Sequence, residues 1–290
     1  MTLPPFRLHR PRSLEEAGEL LDRHGDDAAV YCGGTELLLV LKLGLAAYPH
    51  LVDLKRIPEL QLLEQAGGTV RIGAAVTHRT LERSDLVRET IPALAEMERG
   101  VANLRVRNVG TLGGNLCFSD PHSDPATFLL ASGAELVCRK GSERRTIGIG
   151  EFVRGPYETA LAPGELLTEI RVPAPLPNTA IAHMKFSTHE RPALTVTSLV
   201  RVEDGTLAEV RIAVGSVSTA PTRVPEAESI LAGRRVDDRE CVREAGEVAG
   251  DAVEPFADAN GSVEYKRNLV RVFVERCCAE AIARLETGIV

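Results

Sequence analysis

Ala28-Ala29-Val30-Tyr31-Cys32-Gly33-Gly34-Thr35-Glu36 is a short apolar run that halts at a glycine pair and leads into the leucine-rich stretch Leu37–Lys42. It reads as strand, tight turn and helix. Paired glycines let the backbone turn sharply and come close to a ligand. A helix opening at Thr35 and ending near Gly44 would offer unpaired N–H groups and a positive dipole end, both of which favour an anion. The same device recurs at Gly110-Thr111-Leu112-Gly113-Gly114-Asn115. Either turn alone is ordinary punctuation between elements, but two amide cradles in one chain suit a ligand with two phosphates, such as a dinucleotide pyrophosphate. The familiar alternatives are absent. No lysine stands between Gly34 and Lys42, so this is not a P-loop, and no GxGxxG follows a strand.

Working outward, Ser13 and Glu16 have capping-box spacing, Leu14, Ala17, Leu20 and Leu21 share one helical face, and Gly25 ends the helix. With a strand at 51–54, residues 1–55 form a small α/β unit. Across 56–177, strands at 69–72 and 135–139 alternate with helices at 77–84 and 91–98. Pro173, Pro175 and Pro177 then mark a linker. In 178–290, strands at 193–203 and 208–214 flank a turn at Asp204-Gly205. Helices follow at 225–232, 238–250 and 266–286, the last with Val270, Phe273, Val274, Cys277, Ala281 and Leu285 on one stripe. The expected class is α+β, with an antiparallel sheet and a helical pack at the C-terminal end.

The chain has 290 residues, 44% hydrophobic and 26% charged, enough for two or three domains with real cores. A net charge of −7 argues against a nucleic-acid partner. No apolar run approaches the ~18 residues of a spanning helix. The start, MTLPPFRLHRPR, lacks the apolar stretch of a secretory signal, so a cytoplasmic location is expected. The six cysteines include no CxxC and read as small buried hydrophobes rather than disulfides, a zinc site or a cluster. Asp120-Pro121-His122-Ser123-Asp124 reads as turn and cap chemistry rather than a metal site. His78, at a helix start, is expected to be solvated or capping. Arg105 and Arg107 either hold structure or face phosphates. No GxSxG is present, which excludes a hydrolase elbow.

Together these features resemble the FAD-binding medium subunit of the molybdenum hydroxylases, the family of aerobic carbon monoxide dehydrogenase and xanthine dehydrogenase. The resemblance runs over nearly the whole chain. It rests on Cys32 to Glu36 with Lys42-Leu43-Gly44, on His50-Leu51-Val52-Asp53-Leu54, and on Arg107-Asn108-Val109-Gly110-Thr111-Leu112-Gly113-Gly114-Asn115-Leu116. Ser119-Asp120-Pro121, Ser123-Asp124, Pro163-Gly164-Glu165-Leu166-Leu167, Ala220-Pro221-Thr222-Arg223 and Glu264-Tyr265-Lys266-Arg267 extend it. The resemblance implies a two-lobed FAD-binding domain of the vanillyl-alcohol-oxidase-like (PCMH) type, followed by a C-terminal flavoprotein domain. By position, Cys32, Gly33, Gly34, Thr35, Glu36, Thr111, Leu112, Gly113, Gly114 and Asn115 would hold the FAD pyrophosphate and ribityl chain. Asp124 would lie beside the ribityl and flavin, Leu167 would pack by the isoalloxazine, and Lys185 would sit at the flavin edge. No catalytic residue and no metal ligand is implied in this chain. Cys32 stands where relatives often carry alanine, and His183 where an aromatic is usual. His189-Glu190-Arg191-Pro192-Ala193-Leu194 stands where they show Arg-x-x-x-Asp-x-Ala.

The implied task is electron transfer from two [2Fe–2S] clusters of a small subunit through FAD to NAD, a quinone or another acceptor. A large subunit with the molybdenum cofactor would complete a dimer of heterotrimers. Two other readings use the same turns: a self-contained flavin oxidase of the vanillyl-alcohol class, and a non-catalytic nucleotide-binding assembly module.

Overall fold

The computed structural model describes residues 2–187 and 191–287. Three larger sheets and a two-stranded ribbon, Val153–Gly155 with Glu158–Thr159, organise the described residues. The first is parallel, with strands Arg7–His9, His50–Asp53 and Ala28–Tyr31 side by side in that order. Parallel neighbours need crossovers, and the helices Leu14–His24 and Leu37–Lys42 supply them. Leu14 and Ala17 of the first helix join Val52 and Leu54 in the main core. Ser13 Oγ accepts from the Glu16 amide at 3.1 Å, as the spacing predicts. The returning Glu16 carboxylate, however, reaches past Ser13 to the Arg12 amide at 2.8 Å, a capping box displaced by one residue. The second helix begins at Leu37, with Glu36 as its cap, not at Thr35.

The second sheet is antiparallel, with strands Leu63–Ala66, Thr69–Gly73, Leu166–Pro173, Glu135–Lys140 and Glu143–Gly148 in that order. Its central strand carries Glu169, which is 8% exposed. Glu169 accepts from Arg71 Nε at 2.8 Å, Arg71 Nη2 at 2.9 Å and Arg171 Nε at 2.7 Å. The hydrogen bonds from Arg71 come first in lowering its carboxyl from 4.5 to about 2. Because the folded group ionises more readily than the unfolded one, its stabilisation is present above 4.5 and is lost as pH falls towards about 2. Glu169→Gln should therefore lower the urea midpoint near neutral pH, and the gap to wild type should close through that acid window. A gap of constant size down to the acid end would refute the pairing as its cause.

The third sheet is antiparallel, with strands Thr179–Phe186, Leu194–Glu203, Thr206–Gly215 and Thr222–Arg223. Asp204 and Gly205 have φ of 49° and 73°. Left-handed backbone at both central positions is the type I′ turn that matches strand twist. Side chains alternate across this sheet. Ser198 meets Cys278 of the long helix Val263–Thr287 at 3.4 Å. Thr195 meets Thr127 of the helix Asp124–Ser132 at 2.8 Å on the opposite face. That second helix is clamped between the two larger sheets and nearly all of it is buried. Cys138, Cys241, Cys277 and Cys278 are buried free thiols, as expected, whereas Cys32 is half-buried and Cys117 exposed.

Candidate functional site

A cavity of about 350 Å³ lies where the first sheet, the second sheet and the segment before Leu194 converge. This is within the size range of small-molecule sites. The two glycine turns meet at its floor. A β-carbon at Gly33 would stand 2.5 Å from the Val109 carbonyl oxygen and 2.6 Å from Gly110 Cα, so the turns are packed back to back. Gly34 has φ of 73°, and a β-carbon there would lie 2.3 Å from the Tyr31 ring. The Lys55 ammonium covers that ring 3.9 Å from its centroid and donates to the Cys32 carbonyl at 3.1 Å. So both glycines are required by the packing of the protein itself. The amides of Gly34, Thr35 and Glu36 have no acceptor among the described residues. Successive free amides after a left-handed residue form an anion-binding nest.

The second turn behaves differently, which corrects the expectation of two equal cradles. Thr111 caps the helix Leu112–Phe118, and its Oγ1 accepts from the Gly114 amide at 3.0 Å. The amides of Leu112 and Gly113 donate to the carbonyls of Val76 and Ala74, each at 3.1 Å, and that of Asn115 to Thr111 at 2.9 Å. Every amide of this first turn is thus already bonded. What the segment contributes is room. A β-carbon at Gly113 would strike the Ala74 carbonyl oxygen at 2.5 Å, whereas at Gly114 it would meet only Thr111 Oγ1, at 2.8 Å. Gly114 lines the cavity with no side chain to obstruct it.

Of the other expected residues, Cys32, Gly33, Gly34, Thr35, Glu36, Thr111, Gly113, Asn115, Asp124 and Leu167 line the cavity. Leu112 is wholly buried in the core and does not. Lys185 lies behind the wall, bonded to Asp124 Oδ2 at 3.2 Å and to the Gly100 carbonyl. Asp124, 4% exposed, also meets His183 Nε2 at 3.5 Å, which couples the cavity to the third sheet. Asn115 Oδ1 accepts from Ser123 at 2.7 Å, leaving its Nδ2 group to donate.

Arg191 also lines the cavity, though no role was expected of it. Arg191, just before the strand Leu194–Glu203, bonds Glu36 of the first turn at 3.1 Å and also Asp120, which follows the helix Leu112–Phe118. Its only signal was a blurred motif, and His189 and Glu190 of that motif lie outside the described residues. Burial pushes the Glu36 carboxyl up. Burial also raises the half-buried Cys32 thiol at the cavity.

His78 is a correction. It is 2% exposed, lines the cavity, and its Nδ1 lies 2.6 Å from the buried Glu98 Oε2, so it is neither solvated nor a cap. Asp120 does form the expected turn, accepting from the His122 amide at 2.9 Å. Arg107 is structural, held by Glu82 and the Val101 carbonyl, each at 3.0 Å.

The chain is similar to known proteins over most of its length. Residues 4–175 match the FAD-binding domain in molybdopterin dehydrogenase, and residues 180–281 match the C-terminal domain of the CO dehydrogenase flavoprotein. The chain belongs to this family of FAD-binding subunits. It is 34% identical to the carbon monoxide dehydrogenase medium chain of Hydrogenophaga pseudoflava, over 98% of this chain and 99% of that one. To the nicotine 6-hydroxylase medium subunit of Paenarthrobacter nicotinovorans it is 33% identical, over 98% and 100%. A solved carbon monoxide dehydrogenase structure from Hydrogenophaga pseudoflava superposes with a TM-score of 0.94 at 35% identity, covering 98% of this chain and 99% of that one. Among the described residues, no helix is long and apolar enough to cross a membrane.

Proposed function

We propose that this chain is the electron-transfer flavoprotein subunit of a molybdenum hydroxylase. Its partners would be a large molybdenum-cofactor subunit and a small subunit with two [2Fe–2S] clusters, assembled as a dimer of heterotrimers. Bound FAD would accept electrons singly and release them in pairs to NAD, a quinone or another acceptor. The observation that carries this reading is the set of unbonded amides at Gly34, Thr35 and Glu36 facing a cavity walled by Gly114. In this reading those amides hold the pyrophosphate. The Nδ2 group of Asn115 and the buried Asp124 orient the ribityl hydroxyls, and Leu167 packs against the isoalloxazine. Lys185 neutralises Asp124 from behind and acts through it, not by touching the flavin. The family's sub-units at 1–55, 56–177 and 178–290 are proposed with the reading, as is a reducing, cytoplasmic location for its free thiols.

Arg191→Ala should weaken FAD binding by about two- to fivefold, the effect of losing one partly exposed charge contact. Fluorescence titration of the apoprotein with FAD measures this, and unchanged affinity would remove Arg191 from the site. The reading as a whole is tested by purifying the assembly from its native host through this chain. One FAD per chain, together with iron and molybdenum carried by two companion chains, is the expected result. A chain that arrives with FAD alone, and whose flavin is reduced directly by a small substrate, would instead be a self-contained oxidase.

A further inference from the structure

We propose that His9, His24 and His50 form a binding site for a divalent first-row transition cation of the zinc and copper class, separate from the flavin cavity. His9 ends the strand Arg7–His9, His50 opens His50–Asp53, and His24 closes the helix Leu14–His24. The parallel register pairs Arg7 with His50, which puts His9 and His50 on the same face of the sheet. His24 brings the third imidazole to that place, its ring stacked on His50 with centroids 3.7 Å apart. His9 Nε2 and His50 Nδ1 are 3.0 Å apart, and one ring nitrogen from each histidine can be chosen so that all lie within 4.8 Å of one another. A tetrahedral cation with metal–nitrogen bonds of about 2.05 Å holds its nitrogens about 3.3 Å apart. Ion binding requires the stacked His24 and His50 rings to turn apart so that their in-plane lone pairs converge.

The chemistry of the donor set selects the class of ion. Imidazole suits zinc, copper and nickel, whereas calcium and magnesium need oxygen ligands. The surrounding charges are Arg7 and Arg23, which oppose a cation, and Asp27, which favours one. Burial first, then these arginines and the neighbouring imidazoles, lower His9 and His24 below the ordinary imidazole range. A bound cation would displace the proton shared by His9 and His50 and tie the end of the first helix to two strands. None of the three histidines lines the cavity, so the site does not depend on the flavin reading.

The test uses the full chain, without a histidine tag and with its FAD, stripped with a chelator and titrated calorimetrically with zinc. One zinc per chain is expected, with a rise in Tm on binding and loss of affinity as pH falls through the imidazole range. Bound copper should show nitrogen hyperfine structure in its paramagnetic resonance spectrum. His24→Gln and, separately, His50→Gln should each weaken zinc binding at least tenfold while leaving FAD content unchanged. Absence of saturable binding by the wild-type chain at neutral pH would overturn the proposal. So would equal zinc affinity in wild type and either folded variant.

Discussion

A Gly34→Val chain should purify without flavin. Valine in the left-handed region costs about 1–3 kcal/mol, and its β-carbon would sit 2.3 Å from the Tyr31 ring. The ring would have to leave the Lys55 ammonium, and the amides of Thr35 and Glu36 would turn with the displaced backbone. A hydrogen bond to a charged group contributes about 1.5–3 kcal/mol. Losing two to a phosphate weakens binding on the order of 10²–10⁴-fold. Flavin content after denaturation, with circular dichroism to confirm folding, is the measurement. A folded variant with full FAD would remove the nest from the site.

Gly113→Val should damage the fold itself. Its β-carbon would stand 2.5 Å from the Ala74 carbonyl oxygen and 2.7 Å from Ala74 Cα, both main chain with nowhere to go. Overpacking costs about 1–3 kcal/mol, occasionally more, and the Gly113–Ala74 hydrogen bond adds about 1 kcal/mol. At this size the loss corresponds to a fall in Tm on the order of 10 °C. Gly114→Val is the contrast, since its β-carbon meets only the Thr111 hydroxyl. That chain should melt near the wild-type temperature yet fail to retain flavin. If the two variants behaved alike in calorimetry, the division between a packing glycine and a ligand-facing glycine would be wrong.

Local signals were legible wherever a residue type and a backbone need coincide. Ser13 capped its helix, Asp204-Gly205 turned its hairpin, and the first glycine turn was placed correctly, whereas Gly113 and Gly114 lie within the helix Leu112–Phe118. Elements buried on every side were not legible. The helix Asp124–Ser132 has no polar face because it lies between two sheets, so its sequence lacks helical periodicity. The strand Leu166–Pro173 hides Glu169 between Arg171 of the same strand and Arg71 from elsewhere in the chain, which breaks an apolar strand pattern. In the site, glycine spacing revealed the turns but not which of them kept free amides. That depends on carbonyls of Ala74 and Val76, far from Gly113 in sequence. His78 was misread for the same reason, since its partner Glu98 is on a different helix.

The back-to-back packing of Gly33 on Val109 and Gly110 also imposes an order of assembly. A nascent chain leaves the ribosome N-terminus first, so residues 28–36 emerge well before the segment against which their turn rests. Until residues 109 and 110 have been made and have docked, only Tyr31 and Lys55 support the turn that carries the nest. Cofactor capture is then a late event in the life of this polypeptide.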